Sequence, residues 1–339
     1  MIELIYKKRW FGKGAINIPD CWEDLSPSQF IDVIALTEAA ASGNYPLMTF
    51  RLLLLQYLTG YQRSKKRMKP EYAETINSNL IILANMLRFP LKPRYRDEEY
   101  IEILSPEVQE LVRENFIYDI TEAKYQPEIN LIRDRISFSP EIRLNMKRNL
   151  LPQIKIGRTI YYGPHISIDA NGIAETDIVA QEWLDALEMH DAWQKYNTPE
   201  YLAGMVAVLY RQKRSNYHSN EVIERRRLFM NLPVKTLRAV VYVLANLFHY
   251  ILKHPVYGTL FTGNEQKTKM NTGYSVIISA LSRDGYGPPS EIQQKNLFEY
   301  LDILVDSLRN GIKMLRENKV KDFEIAKKLQ IPIETVLKY

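Results

Sequence analysis

A single cysteine, Cys21, in 339 residues excludes an internal disulfide and a cysteine-based zinc site, so stability has to come from packing and the chain suits a reducing compartment. Glycine and proline are modest, at 14 and 17 residues, which removes the collagen-like and low-complexity classes. No stretch approaches the roughly 18 consecutive apolar residues of a membrane span. The opening MIELIYKKRWFGKG lacks the apolar core of a secretory signal, so the expectation is a protein made and kept in an aqueous cytoplasm. An excess of one charge is missing too: 45 basic against 40 acidic residues give +5, and any affinity for nucleic acid must come from a local patch. What is present is ordinary globular composition, 46% apolar and 25% charged. At about 150 residues per domain, the length suggests two packed units or one large one.

The pattern along the chain is mainly α, with helical bundle units and short β-hairpins at the N-terminus and in the middle. Ile2, Leu4 and Tyr6 alternate before Gly12-Lys13-Gly14, and Ala15 to Ile18 follows, which predicts a hairpin turning at the glycines. Ser26, Pro27 and Gln29 stand as N-cap, first helical residue and capping-box partner, with Leu25 and Phe30 placed as a hydrophobic staple. Helices are expected from there to Gly43, over Leu47–Leu58 and over Glu71–Arg88. Prolines 90, 93, 106, 127, 140, 152 and 164 break the next stretch into pieces. One or two short helices are expected at Pro106–Tyr118, and a hairpin at Gln153–Tyr162 that Ile166–Ile168 continues. Beyond Gly172 the chain reads as helical: from Thr176 to Tyr196, from Pro199 to Arg211, from Ser219 to Phe229, an apolar helix from Pro233 to Lys253, and a long one capped by Ser290. These signals divide the chain into 1–90, a hairpin plus helices; 91–172, an irregular connector; and 173–339, a helical bundle ending in a small helix pair.

No constellation carries chemistry, and the expectation is a non-enzyme without metal or cofactor. Asp185, Glu188, His190 and Asp191 match neither a di-iron nor a zinc-peptidase spacing, and read as an exposed acidic face beside buried Trp183 and Trp193. His249 and His254 diverge by about 140° on a helix. The glycines of Ser282–Pro289 have no preceding strand and no following Lys-Ser/Thr, so they read as a helix-to-helix turn. Basic clusters stand at Lys7–Arg9, at Arg63, Lys65, Lys66, Arg67 and Lys69, at Arg211–Arg214, and at Arg225, Arg226 and Arg227. With interleaved aromatics they are candidate contacts for a protein partner or, as the second reading, for nucleic acid.

Two segments resemble known patterns. Asp322 to Tyr339 is similar to the helix-turn-helix of bacterial regulators and sigma factors, with Ile325-Ala326-x-x-Leu329 before the turn and Thr335-Val336 opening the second helix. It departs from them in Gln330, where the family has the turn glycine, and in ending after about two turns, so the residues favour a small pair packed on the bundle. The segment Pro19, Trp22, Leu25, Ser26, Gln29, Phe30, after a hairpin and before helices, resembles the Pro-x-x-Trp-x-x-Leu-Ser/Thr-x-x-Gln-Phe/Tyr start of proteins encoded among the head, neck and tail genes of tailed bacteriophages and prophages. It covers about 60 residues including the helices that follow. Tyr201 to Arg211 is also similar to stretches from phage structural gene clusters.

The resemblance implies a virion structural component of the neck, connector or tail region. Such a protein is assembled in the host cytoplasm and contacts other phage structural proteins in a symmetric, multi-copy arrangement, with no role at a membrane. Its alternatives are a tail-assembly chaperone that does not stay in the particle, and a nucleic-acid-binding regulator that uses the C-terminal element. In this reading Trp22 covers the open side of the hairpin.

Overall fold

The computed structural model describes residues 2–8, 12–60, 70–95, 99–114, 120, 122–133, 136–214, 217–261 and 275–339. The architecture is mainly α with short antiparallel strand pairs, and the chain forms two compact units, Met1–Arg143 and Leu144–Tyr339. The boundary between the units, at 143/144, falls inside the stretch 91–172.

In the first unit β1 (Ile2–Lys8) pairs with β2 (Gly12–Ile18), from Ile2 opposite Ile18 to Lys8 opposite Gly12. Gly12 and Gly14 are thus paired strand residues and do not form the expected turn. Register follows the whole alternating run, and a longer ladder outweighs local turn preference. A 3-10 turn, Trp22–Asp24, leads to α1 (Pro27–Ala41), followed by α2 (Leu47–Thr59) and α3 (Pro70–Met86). Gly60 closes α2 at φ 66°, a left-handed position that glycine takes without steric cost.

Next comes β3 (Leu91–Tyr95), whose partner β4 (Ile136–Ile142) lies beyond α4 (Glu99–Glu102), α5 (Pro106–Glu114) and α6 (Gln126–Arg133). Neither this strand pair nor α6 was expected, since Pro93 and Pro140 argue against strands. In a two-stranded sheet both strands are edges, where a missing N–H is tolerated. Leu104, Val108, Val112, Ile120, Tyr125, Ile129 and Ile132 form one buried cluster here. At about 1.5–3 kcal/mol per fully buried large apolar side chain, that cluster compensates for the short helices.

The second unit opens with the expected hairpin, β5 (Gln153–Ile156) and β6 (Thr159–Tyr162), turning at Gly157 with φ 58°. β7 (Ile166–Ile168) does not continue it but pairs with β8 (Ala174–Thr176). The Asp169 carboxylate makes that second turn by accepting from the backbone of Asn171 and Ile173 at 2.9 and 2.8 Å. Because Thr176 ends a strand, α7 starts later than its sequence suggests, at Ala180–Tyr196. Then follow α8 (Pro199–Leu209), a 3-10 turn Ser219–Glu221, α9 (Val222–Phe229), α10 (Val234–Lys253) and a 3-10 turn Tyr257–Phe261.

The remainder is α11 (Ser275–Arg283), α12 (Pro289–Gln294), α13 (Leu297–Glu317), α14 (Asp322–Leu329) and α15 (Ile333–Lys338). Ser290 does not cap the long helix. Asn296 does, accepting from the Phe298 amide at 3.0 Å and donating to the Thr176 carbonyl at 2.5 Å, so tertiary contact with β8 sets the break. α8 is buried from Leu202 through Leu209; Gly204 allows it to lie against Met189 of α7, where a Cβ would meet the sulfur at 2.8 Å.

Candidate functional site

The N-terminal motif is a folding device in its geometry. Pro19 is buried, and the Trp22 ring, 1% exposed, meets Phe30 edge-on at 5.8 Å and Phe89 at 5.3 Å. Its indole N–H donates to the Arg143 carbonyl at 3.1 Å. The motif thus ties the start of the first unit to its end, through two partners that sequence spacing could not pair with Trp22. Ser26 Oγ accepts from the Gln29 amide at 3.3 Å while Gln29 Oε1 accepts from the Ser26 amide at 2.9 Å. Leu25 and Phe30 on either side are buried, which fixes the direction in which α1 leaves.

Beside it, Asp20, Cys21 and Asp24 hold their polar atoms within 4.8 Å of one another. Burial, with Asp24 as hydrogen-bond partner, pushes the Cys21 thiol up.

The basic loop with Arg63, Lys65, Lys66, Arg67 and Lys69 lies outside the described residues, as do residues 9–11. Of the other expected contact cluster, Arg225 pairs with Glu221 at 2.7 Å and donates to the Ala207 carbonyl at 2.9 Å. Arg226 pairs with Glu200 at 3.3 Å, and Arg227 is exposed. Two of the three guanidiniums therefore have internal acids opposite them, which reduces the patch available for phosphate.

The densest polar site was missed by sequence reading. Glu182, in the first turn of α7, is fully buried and accepts from Arg211 at 2.8 Å and Arg214 at 2.9 Å. Arg214 also grips Asp177 with two nitrogens, at 2.9 and 2.8 Å, and donates to the Leu209 carbonyl at 2.9 Å. The backbone of Arg211 exchanges two hydrogen bonds with Tyr162 of β6, so β6, the end of α8 and α7 meet at this network.

Burial pushes the Glu182 carboxyl up and the two guanidiniums pull it back. Both of its oxygens face N–H donors, the arrangement of an ion pair. Burial also disfavours the Arg214 charge, but Asp177 and Glu182 more than offset it and its pKa is raised. A second layer surrounds Asp185, which accepts from Gln181 at 2.5 Å, Tyr217 at 2.6 Å and Ser219 at 2.7 Å. The expected exposed acidic face is thus partly wrong: Asp185 is tied inward, while Glu188 and Asp191 are exposed. Trp183 is buried as expected but Trp193 is only half-buried, edge-on to His190. Alternation of Glu182 with apolar neighbours gave no sign of this site, because its arginines come from a loop about 30 residues away.

At the chain end, α14 and α15 pack on α13 through Ile312, Ile325, Ala326 and Val336, with Leu308, Leu315, Leu329 and Ile333 around them. Gln330 itself takes the left-handed turn conformation at φ 58°, at a cost of roughly 1–2 kcal/mol relative to glycine. On α15 Thr335 is buried, Lys338 donates to the Pro255 carbonyl, and Glu334 and Leu337 are exposed. That face offers an acid and an aliphatic chain where a recognition helix presents base-reading donors. Among the described residues no helix is long and apolar enough to cross a membrane. Compared with protein-family models, curated proteins and solved structures, the chain matches none.

Proposed function

We propose that this chain is a non-enzymatic structural component of a tailed-phage particle, in the neck, connector or tail region, working through contacts with neighbouring protein chains. The observation that carries the reading is the segment Pro19–Phe30, whose proline, tryptophan and capping-box residues all coincide with the phage gene-cluster pattern. Two further features support it. Around Glu182 and Asp185 the acids are taken up by Arg211, Arg214 and Tyr217. Large apolar side chains stand exposed in both units, Ile103 and Leu131 at 67% each in the first, Phe323 at 73% and Leu337 at 65% in the second, which is the raw material of protein interfaces.

In this proposal several copies surround a symmetry axis, and each interface exceeds about 1,000 Å². The assembly takes place in the host cytoplasm. Deleting the gene and imaging the resulting lysate by electron microscopy tests it: heads without joined tails, or tails of aberrant length, are expected. Intact infectious particles from the deletion would overturn the proposal.

A further inference from the structure

α10 ends at Lys253, and His254 turns the chain, its own amide donating to Tyr250 and Ile251. The ring then acts on the residues that follow: Nδ1 accepts from the amides of Val256 and Tyr257, both at 3.3 Å. A ring nitrogen that accepts carries no proton, so this turn requires the neutral imidazole protonated on Nε2.

The ring is held by its neighbours. It stacks on Tyr257 at 4.3 Å and 23° and lies 6.0 Å from Tyr250. Tyr257 stacks in turn on Phe298 of α13 and donates to Asp302 at 3.0 Å. The chain end docks on this same turn. Lys338 donates to the Pro255 carbonyl, and the hydroxyls of Thr259 and Tyr339 meet at 3.2 Å.

We infer that His254 is a proton-operated latch for the C-terminal helix pair: with Nδ1 accepting, residues 255–261 keep the shape on which Lys338 and Tyr339 dock, and a proton on Nδ1 releases them. A protonated Nδ1 would face two N–H donors, with the Lys338 ammonium nearby as a second cation. The turn then has to open, which takes the Pro255 carbonyl from Lys338 and Thr259 from Tyr339.

The charged and titratable groups around the ring act in opposing directions. Burial and Lys338 of α15 disfavour the imidazolium, Asp302 of α13 favours it, and the net position lies below the ordinary 6.5. Tyr250 and Tyr257 are both held neutral by burial. Lys253, the remaining cation at the end of α10, precedes the ring in the chain. Once the turn opens, His254 regains its ordinary value. The opening equilibrium therefore rises about tenfold for each unit of pH between 6.5 and the docked value, and levels off below it.

Hydrogen exchange followed by mass spectrometry on the full chain, from pH 7.5 to pH 4.5 and corrected for intrinsic exchange, reads this directly. Protection of peptides covering 255–261 and 321–339 should fall together with acid, while α8 and the first unit stay protected. In His254→Asn the side-chain oxygen can still accept from the following amides but does not titrate, and protection should stay flat with pH. Loss in neither protein, equal loss in both, or loss spread across the whole chain overturns the inference. Should the variant fail to fold, the wild-type protein decides: opening must track the His254 ring protons in an NMR titration, and a different midpoint overturns the latch.

Discussion

Glu182→Ala removes the acid on which two arginines converge. In the folded protein Glu182 is fully enclosed, and the side chains of Arg211 and Arg214 are only 6% and 16% exposed. Arg214 keeps Asp177, whereas Arg211 loses the carboxylate that it holds at 2.8 Å. Breaking a buried ion pair by removing one partner costs about 3–5 kcal/mol. With a urea m-value of about 2–3 kcal/mol/M for a unit of this size, the unfolding midpoint of the second unit should fall by roughly 1–2 M.

Glu182→Gln preserves volume and one acceptor, so its loss should be smaller. Replacing the pair by apolar residues, Glu182→Leu with Arg211→Met, should restore much of the stability, because desolvating both charges is itself costly. The assay is urea unfolding at pH 7 of the wild-type protein, these variants and the single variants Glu182→Leu and Arg211→Met, followed by fluorescence of Trp183, which lies next to Glu182 in the chain and is buried. A Glu182→Ala loss under about 1 kcal/mol, or a double variant no better than the sum of its parts, would refute a desolvated ion pair at the junction of α7 and β6.

Trp22→Ala should destabilise the first unit by roughly 3–5 kcal/mol in the same denaturation assay; Trp22→Phe should cost less, about 1–3 kcal/mol, mostly from losing the buried indole hydrogen bond to the Arg143 carbonyl. Gly163→Ala drives a methyl to 2.7 Å from the Tyr210 ring and 2.9 Å from Asn149, so a loss of roughly 1–3 kcal/mol is expected, and a neutral result would mean that this contact can relax freely. Burial and a hydrogen bond to a carboxylate push Tyr57 and Tyr257 up to about 12. A raised tyrosine favours the neutral form in the folded state, so its contribution is full below pH 10 and lost as pH climbs through about 12. Absorbance titration at 295 nm should show late-titrating tyrosines that shift earlier in Asp32→Asn and Asp302→Asn. Removing residues 318–339 should leave DNA affinity at physiological salt unchanged, and a large loss with a shallower salt slope would support the regulator alternative.

The helices that sequence placed well are those whose ends carry local chemistry: Ser26 with Gln29, Pro199 after Thr198, Gly60 after α2. The β5–β6 hairpin was legible for the same reason, since Gly157-Arg158 fits its two-residue turn. What sequence missed is non-local. Leu91–Tyr95 and Ile136–Ile142 pair across three helices and contain prolines, and the break before α13 depends on Asn296 reaching the end of β8. The Glu182 network was invisible for a related reason. A carboxylate in the first turn of a helix reads as a dipole partner exposed to water, and only the path of the chain from α8 brings Arg211 and Arg214 over it.

Mass spectrometry of gradient-purified particles, with peptide counting against the known capsid and tail proteins, tests the central proposal most directly. The chain should be present at a fixed, multi-copy stoichiometry. Recovery only with tail-assembly intermediates would move the assignment to a chaperone. Absence from both particles and intermediates would contradict a role in phage assembly altogether.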